Sequence, residues 1–459
     1  MHTSQKRVHS QQKHITQHAQ KTNAYTFFNI LTSPQLLDVV EQQQPTHRER
    51  LYTPTNTLSL FLAQAMNTDS SCQNTVNHHV VERVFNGLSA CATTTGAYCK
   101  ARQRLPTDML ATLVKQTGQL ILEQEPNSWH WQGRRVKLVD GTTVTLPDTA
   151  ANQQQYPQQT IQQPGLGFPV ARIVGVVCLA SGAILQAAMG AYQGKGASEH
   201  TLLRQLMDSF EPGDVVLADR YYCSYFLIAL LLARGADVVF QQHATRKTDF
   251  RTGQKLSARD HVVAWQKPKL VPDWMTPSQY ESIPNEINLR EAKTGNRILV
   301  TTLLSDKAVS KTALHELYKQ RWHVELDLRN IKTVLGMETL HCKTPKMNEK
   351  EMWVYFLAYN IIRLLIAAAA AKAAILPRHI SFKHTLQIWL AWHHQQAAHD
   401  ANDPDILLML IAEQRVGNRP GRIEPRNLKR RPKAFPLLMK PREEARALVK
   451  KNGHPKKLK

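Results

Sequence analysis

Apolar and polar residues recur at different periods along this chain. Residues 1–25 are polar and Gln/His-rich with no period, and read as a disordered lead-in. From 26 to about 125 the apolar residues fall at helical spacing, broken at Pro34, Pro45, Pro54 and Pro106. Within this part Leu58-Ser-Leu-Phe-Leu-Ala-Gln-Ala predicts a buried helix, and 96–106 a basic helical piece suited to a phosphate backbone. Past Trp129 and Trp131 short apolar runs take over. Residues 136–140 predict a strand ending in an acid, followed by Gly141-Thr-Thr and a Gln-rich loop over 152–163. The runs 172–180 and 183–192, split by Ser181-Gly182, predict a hairpin. A helix over 198–210, a second acid-ended strand over 215–219, a helix over 223–234 and a strand over 237–240 follow.

Strand, hairpin, helix, strand, helix, strand is the element order of a ribonuclease-H-like α/β core, expected over 129–240 and 311–346. Residues 241–310 interrupt it. They are polar, proline-bearing and strand-like over 297–304, which predicts a β-rich insertion. The expected flanks are a helical N-terminal DNA-binding domain over 26–128, a C-terminal helical region over 347–412 and a basic tail over 413–459. The longest apolar stretch, 352–376, carries Asn360, Arg363 and Lys372, so it predicts a long buried helix instead of a membrane span.

Charge narrows the partners. The 459 residues carry a net charge of +22 with a pI near 9.8. Such an excess points to a polyanion, with nucleic acid the common one. An anionic lipid surface would need a basic amphipathic helix or a lipid anchor, and the sequence offers neither. From Arg415 onward 16 Lys/Arg stand against three Glu, a basic arm expected to order in part on DNA. Six scattered cysteines without a CxxC pair argue against a zinc site or a disulfide framework and fit a reducing cytosol. The pairs His78-His79 and His393-His394 are candidate ligands, though adjacent histidines on loops or helix surfaces more often carry no such role.

Two clusters carry candidate chemistry. Tyr318, Arg321, Glu325 and Lys332 are spaced so that, at about 100° per residue, they share a sector of roughly 60° on one helix face. Such a face is either a solvated surface with an i,i+4 ion pair or a phosphate-handling surface containing a metal ligand. The second cluster is acidic. Asp140 and Asp219 each end a predicted core strand, and sites in open α/β sheets form at carboxyl ends of strands. Either aspartate could equally be a turn former or a helix cap. Asp148, Glu199 and Asp214 compete nearby; Asp214 follows Pro-Gly and suits a turn, and Asp148 suits a cap of the Gln-rich loop. If Asp140, Asp219 and Glu325 converge, their repulsion calls for a cation, and oxygen ligands suit Mg²⁺ or Mn²⁺. Two such ions about 3.5–4 Å apart activate the attacking oxygen and stabilise the leaving one in phosphodiester displacement.

Asp140-Gly-Thr-Thr, Ala218-Asp219-Arg220-Tyr221-Tyr222 and Tyr-x2-Arg-x3-Glu-x6-Lys at 318–332 together resemble the insertion-sequence-four family of bacterial DDE transposases. Gly165-Leu-Gly-Phe-Pro169, the 96–106 piece and Arg419-Pro-Gly-Arg-Ile-Glu-Pro-Arg426 resemble it too, so the likeness runs from about 50 to 445. It implies that Asp140, Asp219 and Glu325 form a catalytic triad holding Mg²⁺ or Mn²⁺, two ions per site. It implies that Arg321 and Lys332 contact phosphates at the transposon end and that Tyr318 bonds or packs against the same backbone. Its members act as homodimers on paired terminal inverted repeats, cut through a hairpin intermediate and join the ends to target DNA. It also implies a bacterial cytoplasmic enzyme associated with the nucleoid and no membrane partner. Hairpin formation in the family holds an extruded base against aromatics. Trp265, Trp274 and Trp322 are candidates for that role, each with a core position as the plainer reading. His323 reads as structural, because a metal-activated nucleophile needs no separate base.

Overall fold

A computed structural model describes residues 51–85, 87–194, 196–396, 404–417 and 438–452, with the side chains of 393–396 left aside. The expected lead-in at 1–25, Pro34 and Pro45 and the 419–426 motif therefore lie outside the described residues, as do the side chains of His393-His394.

Four helices come first: α1 (Pro54–Met66), α2 (Cys72–Phe85), α3 (Gly96–Arg104) and α4 (Thr107–Glu123). Pro54 begins α1, whose Thr53 cap accepts from the Asn56 N–H. Leu58, Phe61, Leu62 and Ala65 share one face and are buried, as the apolar run predicts. The basic piece at α3 is only partly outward. Lys100 and Arg104 are exposed, but Arg102 is buried, reaching Cys72 at 3.1 Å and stacking 4.7 Å from the Phe61 ring.

One nine-stranded sheet follows, formed by β1 (Val136–Thr145), β2 (Val170–Cys178), β3 (Ile184–Ala191), β4 (Val215–Ala218), β5 (Asp237–Gln241), β6 (Gln254–Ser257), β7 (Asp260–Gln266), β8 (Glu286–Thr294) and β9 (Arg297–Thr301). Its spatial order is β3-β2-β1-β4-β5-β9-β8-β7-β6. The β1/β4 and β4/β5 pairs are parallel, and the β2/β3 pair is the predicted antiparallel hairpin. The insertion's strands extend the same sheet, because β9 pairs antiparallel with β5.

Several local expectations need correction. The Gln-rich segment opens as a short helix, α5 (Ala150–Gln155), because Thr149 caps it and buried Asn152 donates to Pro147 and Cys342 carbonyls. The helix expected over 198–210 divides into α6 (Glu199–Arg204) and a 3₁₀ turn (Met207–Ser209). A three-residue 3₁₀ turn (Arg220–Tyr222) separates β4 from α7 (Tyr225–Ala233). The insertion adds α8 (Pro277–Ser282).

The helix expected to carry Tyr318 through Lys332 is three segments. α9 (Lys311–Lys319) stops, Gln320 and Arg321 turn with i→i+3 bonds, α10 (Trp322–Arg329) starts, and a π-helical stretch (Asn330–Val334) ends the run. Burial drives the break: it lets Leu314, Leu317 and Tyr318 on one side and Val324, Leu328 and Ile331 on the other all reach the core. The single 100° wheel thus fails at both junctions.

The long apolar run is α11 (Pro345–Lys372), followed by α12 (Phe382–Gln396) and α13 (Pro404–Ala412). By length and hydropathy α11 could cross a membrane, yet 89% of its most apolar window is buried in protein, against α4, α1, α12 and α13. Its polar interruptions are bonded internally. Asn360 donates to Val114 and Ile184 carbonyls, and Arg363 reaches Asp327 on α10. Part of the basic tail forms α14 (Arg442–Asn452), with Arg442 3.7 Å from Asp148.

Candidate active site

The β1/β4 ladder pairs Val136 with Val215 and Leu138 with Leu217. Two residues further along each chain stand Asp140 and Asp219. Asp219 lies just past β4, as expected. Asp140 does not end its strand: β1 continues to Thr145 because its other edge stays paired with β2 as far as Thr145↔Val170. It sits instead where the parallel ladder ends.

The cap reading of Asp219 is realised, since its Oδ1 accepts the Tyr221 N–H at 2.8 Å and starts the 3₁₀ turn. Asp140 Oδ1 accepts the Gly141 N–H at 2.8 Å. Burial pushes the Asp140 carboxyl up to about 7; the Gly141 N–H and Arg321 oppose the rise, while Asp219 and Glu199 add to it. The neighbouring Tyr222 hydroxyl is held well above its ordinary value by burial first, then by Glu199, Asp140 and Asp219. Both shifts come first from burial, with the neighbouring carboxylates adding to it.

Arg321, in the turn between α9 and α10, is the third wall. Its Nη2 lies 2.7 Å from Glu325 Oε1 and its Nη1 3.8 Å from Asp140 Oδ2. The i,i+4 ion pair therefore exists, and it also approaches the half-buried Asp140. Among the described residues no three His, Cys, Asp or Glu side chains converge closely enough to ligate one ion. The donor set nevertheless suits a divalent cation: all-oxygen, net acidic, partly desolvated, with a guanidinium drawn in among the carboxylates.

Beside Asp219 opens a cleft of about 390 Å³ lined by Arg220, Gln241, Arg297, Tyr318, Lys319, Arg321 and Trp322. Four cations against one carboxylate make it an anion site. Tyr318 is buried, its hydroxyl 3.5 Å from Gln241 Oε1 and pushed up to about 12 by burial. Lys332 does not line this cleft; it is half-buried on the π-helical stretch. Trp322 is 57% exposed, against the core reading, whereas Trp265 is buried with Nε1 on Glu291. Trp274 is 40% exposed under the Arg204 guanidinium, 3.8 Å away.

The competing acids separate. Asp214 is a turn residue, taking Lys137 at 2.6 Å and the Glu211 N–H. Asp148 holds Gln153 and Arg442. Glu199, the competitor that had no turn or cap explanation, is at the site, beside Gly141 and Tyr222; nothing local distinguishes it from any helix-opening acid. Arg297 was likewise unmarked, being one strand residue of an insertion. Under the site, Asp327 of α10 is fully buried, with Arg378 on both its oxygens at 2.7 Å, Tyr359 at 2.9 Å and Arg363.

Residues 131–361, half of the chain, match the family model of the transposase DDE domain. The chain is also 26% identical over 355 residues to the transposase InsG for insertion sequence element IS4 of Escherichia coli (strain K12), covering 75% of this chain and 78% of that one. With the acids and the basic cleft at one end of the sheet, these similarities give the conclusion that the chain belongs to the DDE transposase family, enzymes that cleave nucleic acid.

Proposed function

We propose that this chain is a cut-and-paste DNA transposase with a ribonuclease-H-like core, in which Asp140, Asp219 and Glu325 hold two divalent ions, Mg²⁺ or Mn²⁺. The observation that carries this reading is the acid pair at the end of the β1/β4 ladder, linked to Glu325 through Arg321. The order β3-β2-β1-β4-β5 supports the core assignment. When bound, the ions supply a deprotonated nucleophile and neutralise charge on the phosphate.

The protein's own residues have separate roles. Arg321 and Tyr318, with Arg220, Arg297 and Lys319, seat the phosphates of the transposon end in the cleft. Lys332 contacts the same strand about two turns beyond Glu325. The exposed indole of Trp322 offers a flat face beside those phosphates and suits the base extruded during hairpin formation. The enzyme works as a homodimer on paired terminal inverted repeats, at the nucleoid.

Asp140→Asn, Asp219→Asn and Glu325→Gln should each abolish Mg²⁺-dependent cleavage of end DNA while end binding persists. Cleavage at the wild-type rate by any of them sinks the site assignment. Binding with no cleavage by the unmodified protein would favour a DNA-binding regulator.

A further inference from the structure

The main chain fixes Asp140 against Asp219 only as far as Leu138↔Leu217. Beyond that point β1 stays with β2, and the chain after Ala218 turns away into the 3₁₀ segment. The separation of the two aspartates thus needs a side-chain strut.

We propose that Glu199 is that strut: a positioning residue that joins the Asp140 strand to the Asp219 turn through Gly141 and Tyr222. The inference rests on the reading that Asp140 and Asp219 bind the divalent ions. Glu199 opens α6, and its carboxylate lies flat on Gly141, the residue after Asp140. A Cβ at Gly141 would stand 2.5 Å from the Glu199 carboxyl carbon and 2.6 Å from Oε1, so the glycine is the room the carboxylate occupies. Glu199 Oε2 accepts the Tyr222 hydroxyl at 2.9 Å. Tyr222 is fully buried and closes the 3₁₀ turn that Asp219 caps. The strut is braced on both sides. Arg172 of β2 approaches Glu199 Oε1 at 4.0 Å and donates to the Ala197 carbonyl, and the His200 ring stacks on Tyr222 at 5.8 Å. A carboxylate placed beside another carboxylate costs stability, so its seat on Gly141 calls for a return, and holding the two segments in register supplies one.

The test uses the full-length protein and four variants: Glu199→Ala, Glu199→Gln, Tyr222→Phe and Gly141→Ala. Mn²⁺ affinity is measured without DNA by titration calorimetry, and the Mg²⁺ concentration for half-maximal end cleavage is measured alongside. Glu199→Ala, Tyr222→Phe and Gly141→Ala should each weaken both by about ten-fold, the size of one buried hydrogen bond. Glu199→Gln keeps an oxygen for the Tyr222 hydroxyl and should stay within about three-fold of wild type. Tyr222→Phe removes a single oxygen, so it serves even where Glu199→Ala folds poorly. Asp140→Asn separates the two levels. If it leaves Mn²⁺ binding intact, the parent reading fails and this one with it. If it abolishes Mn²⁺ binding while Glu199→Ala and Tyr222→Phe stay within about two-fold of wild type, only the strut is wrong. Equal losses in Glu199→Gln and Glu199→Ala would also overturn it, since they would make Glu199 a ligand in its own right.

Discussion

Asp327→Asn is the most demanding test of how the Glu325 helix is held. Asp327 lies two residues beyond Glu325 on α10 and is buried, while Glu325 is partly exposed. Its carboxylate accepts four hydrogen bonds, from Tyr359, from Arg363 and two from Arg378. Arg378 in turn donates to the Leu179 and Cys178 carbonyls, so this one side chain ties α10 to α11 and to the β2–β3 turn. Arg363 is 4% exposed and Arg378 11%. An amide would keep the shape but present one acceptor and leave two guanidiniums without a counter-charge. Breaking a buried pair by removing one partner costs about 3–5 kcal/mol. Against a domain stability of about 5–15 kcal/mol that is a large fraction, and it corresponds to a fall in Tm on the order of 10 °C. Guanidinium chloride unfolding and a thermal melt measure it directly. A loss under about 1 kcal/mol would show the carboxylate to be dispensable and would refute the account of how α10 is anchored. End cleavage by the folded fraction should also fall while end binding persists, because Glu325 rides on the loosened helix.

His79 gives a pH prediction. It is 2% exposed, and burial followed by Arg83 lowers its imidazole from 6.5 to about 4. The unfolded chain therefore takes up a proton that the folded one refuses; this stability is complete above pH 6.5 and is lost as pH falls toward about 4. About 2 kcal/mol should disappear by pH 5, and His79→Phe should flatten that part of the profile measured by denaturant unfolding; an unchanged slope would count against it. Arg297→Ala should lower the salt dependence of DNA-end affinity by about 0.9 in log–log slope, read by fluorescence anisotropy, and an unaltered slope would remove Arg297 from the phosphate path. Lys332→Ala should reduce end cleavage with the metal requirement unchanged, and full wild-type activity would exclude a phosphate role.

The legible parts of the fold were those set by local pattern. Apolar runs ending in acids found β1 and β4, Ser181-Gly182 marked the hairpin, and the run through α11 was correctly read as a buried helix despite Arg363. The partner that makes Arg363 tolerable, Asp327, lies on another helix and leaves no trace in local sequence. The break at Gln320 and Arg321 was invisible for a related reason: either half is a good helix alone, and tertiary packing of the buried residues on each half decides where the first stops. Asp140 was placed at a strand end because its apolar run stops there. Thr142 to Thr145 continue the strand through pairing with β2, which polarity does not announce. Glu199 was seen only as a rival, since its relevance depends on a space left by Gly141 some sixty residues earlier.

The sheet's continuity through the insertion has its own consequence. β9 is the neighbour that closes the far side of β5, pairing Val239 to Gln241 with Thr301 to Leu299. Excising the insertion would bare that side of β5, exposing unpaired amides and carbonyls along Val239 and Phe240 next to the basic cleft. Open strand edges recruit strands from other chains. A trimmed version of this enzyme is thus expected to self-associate through the bared edge of its sheet.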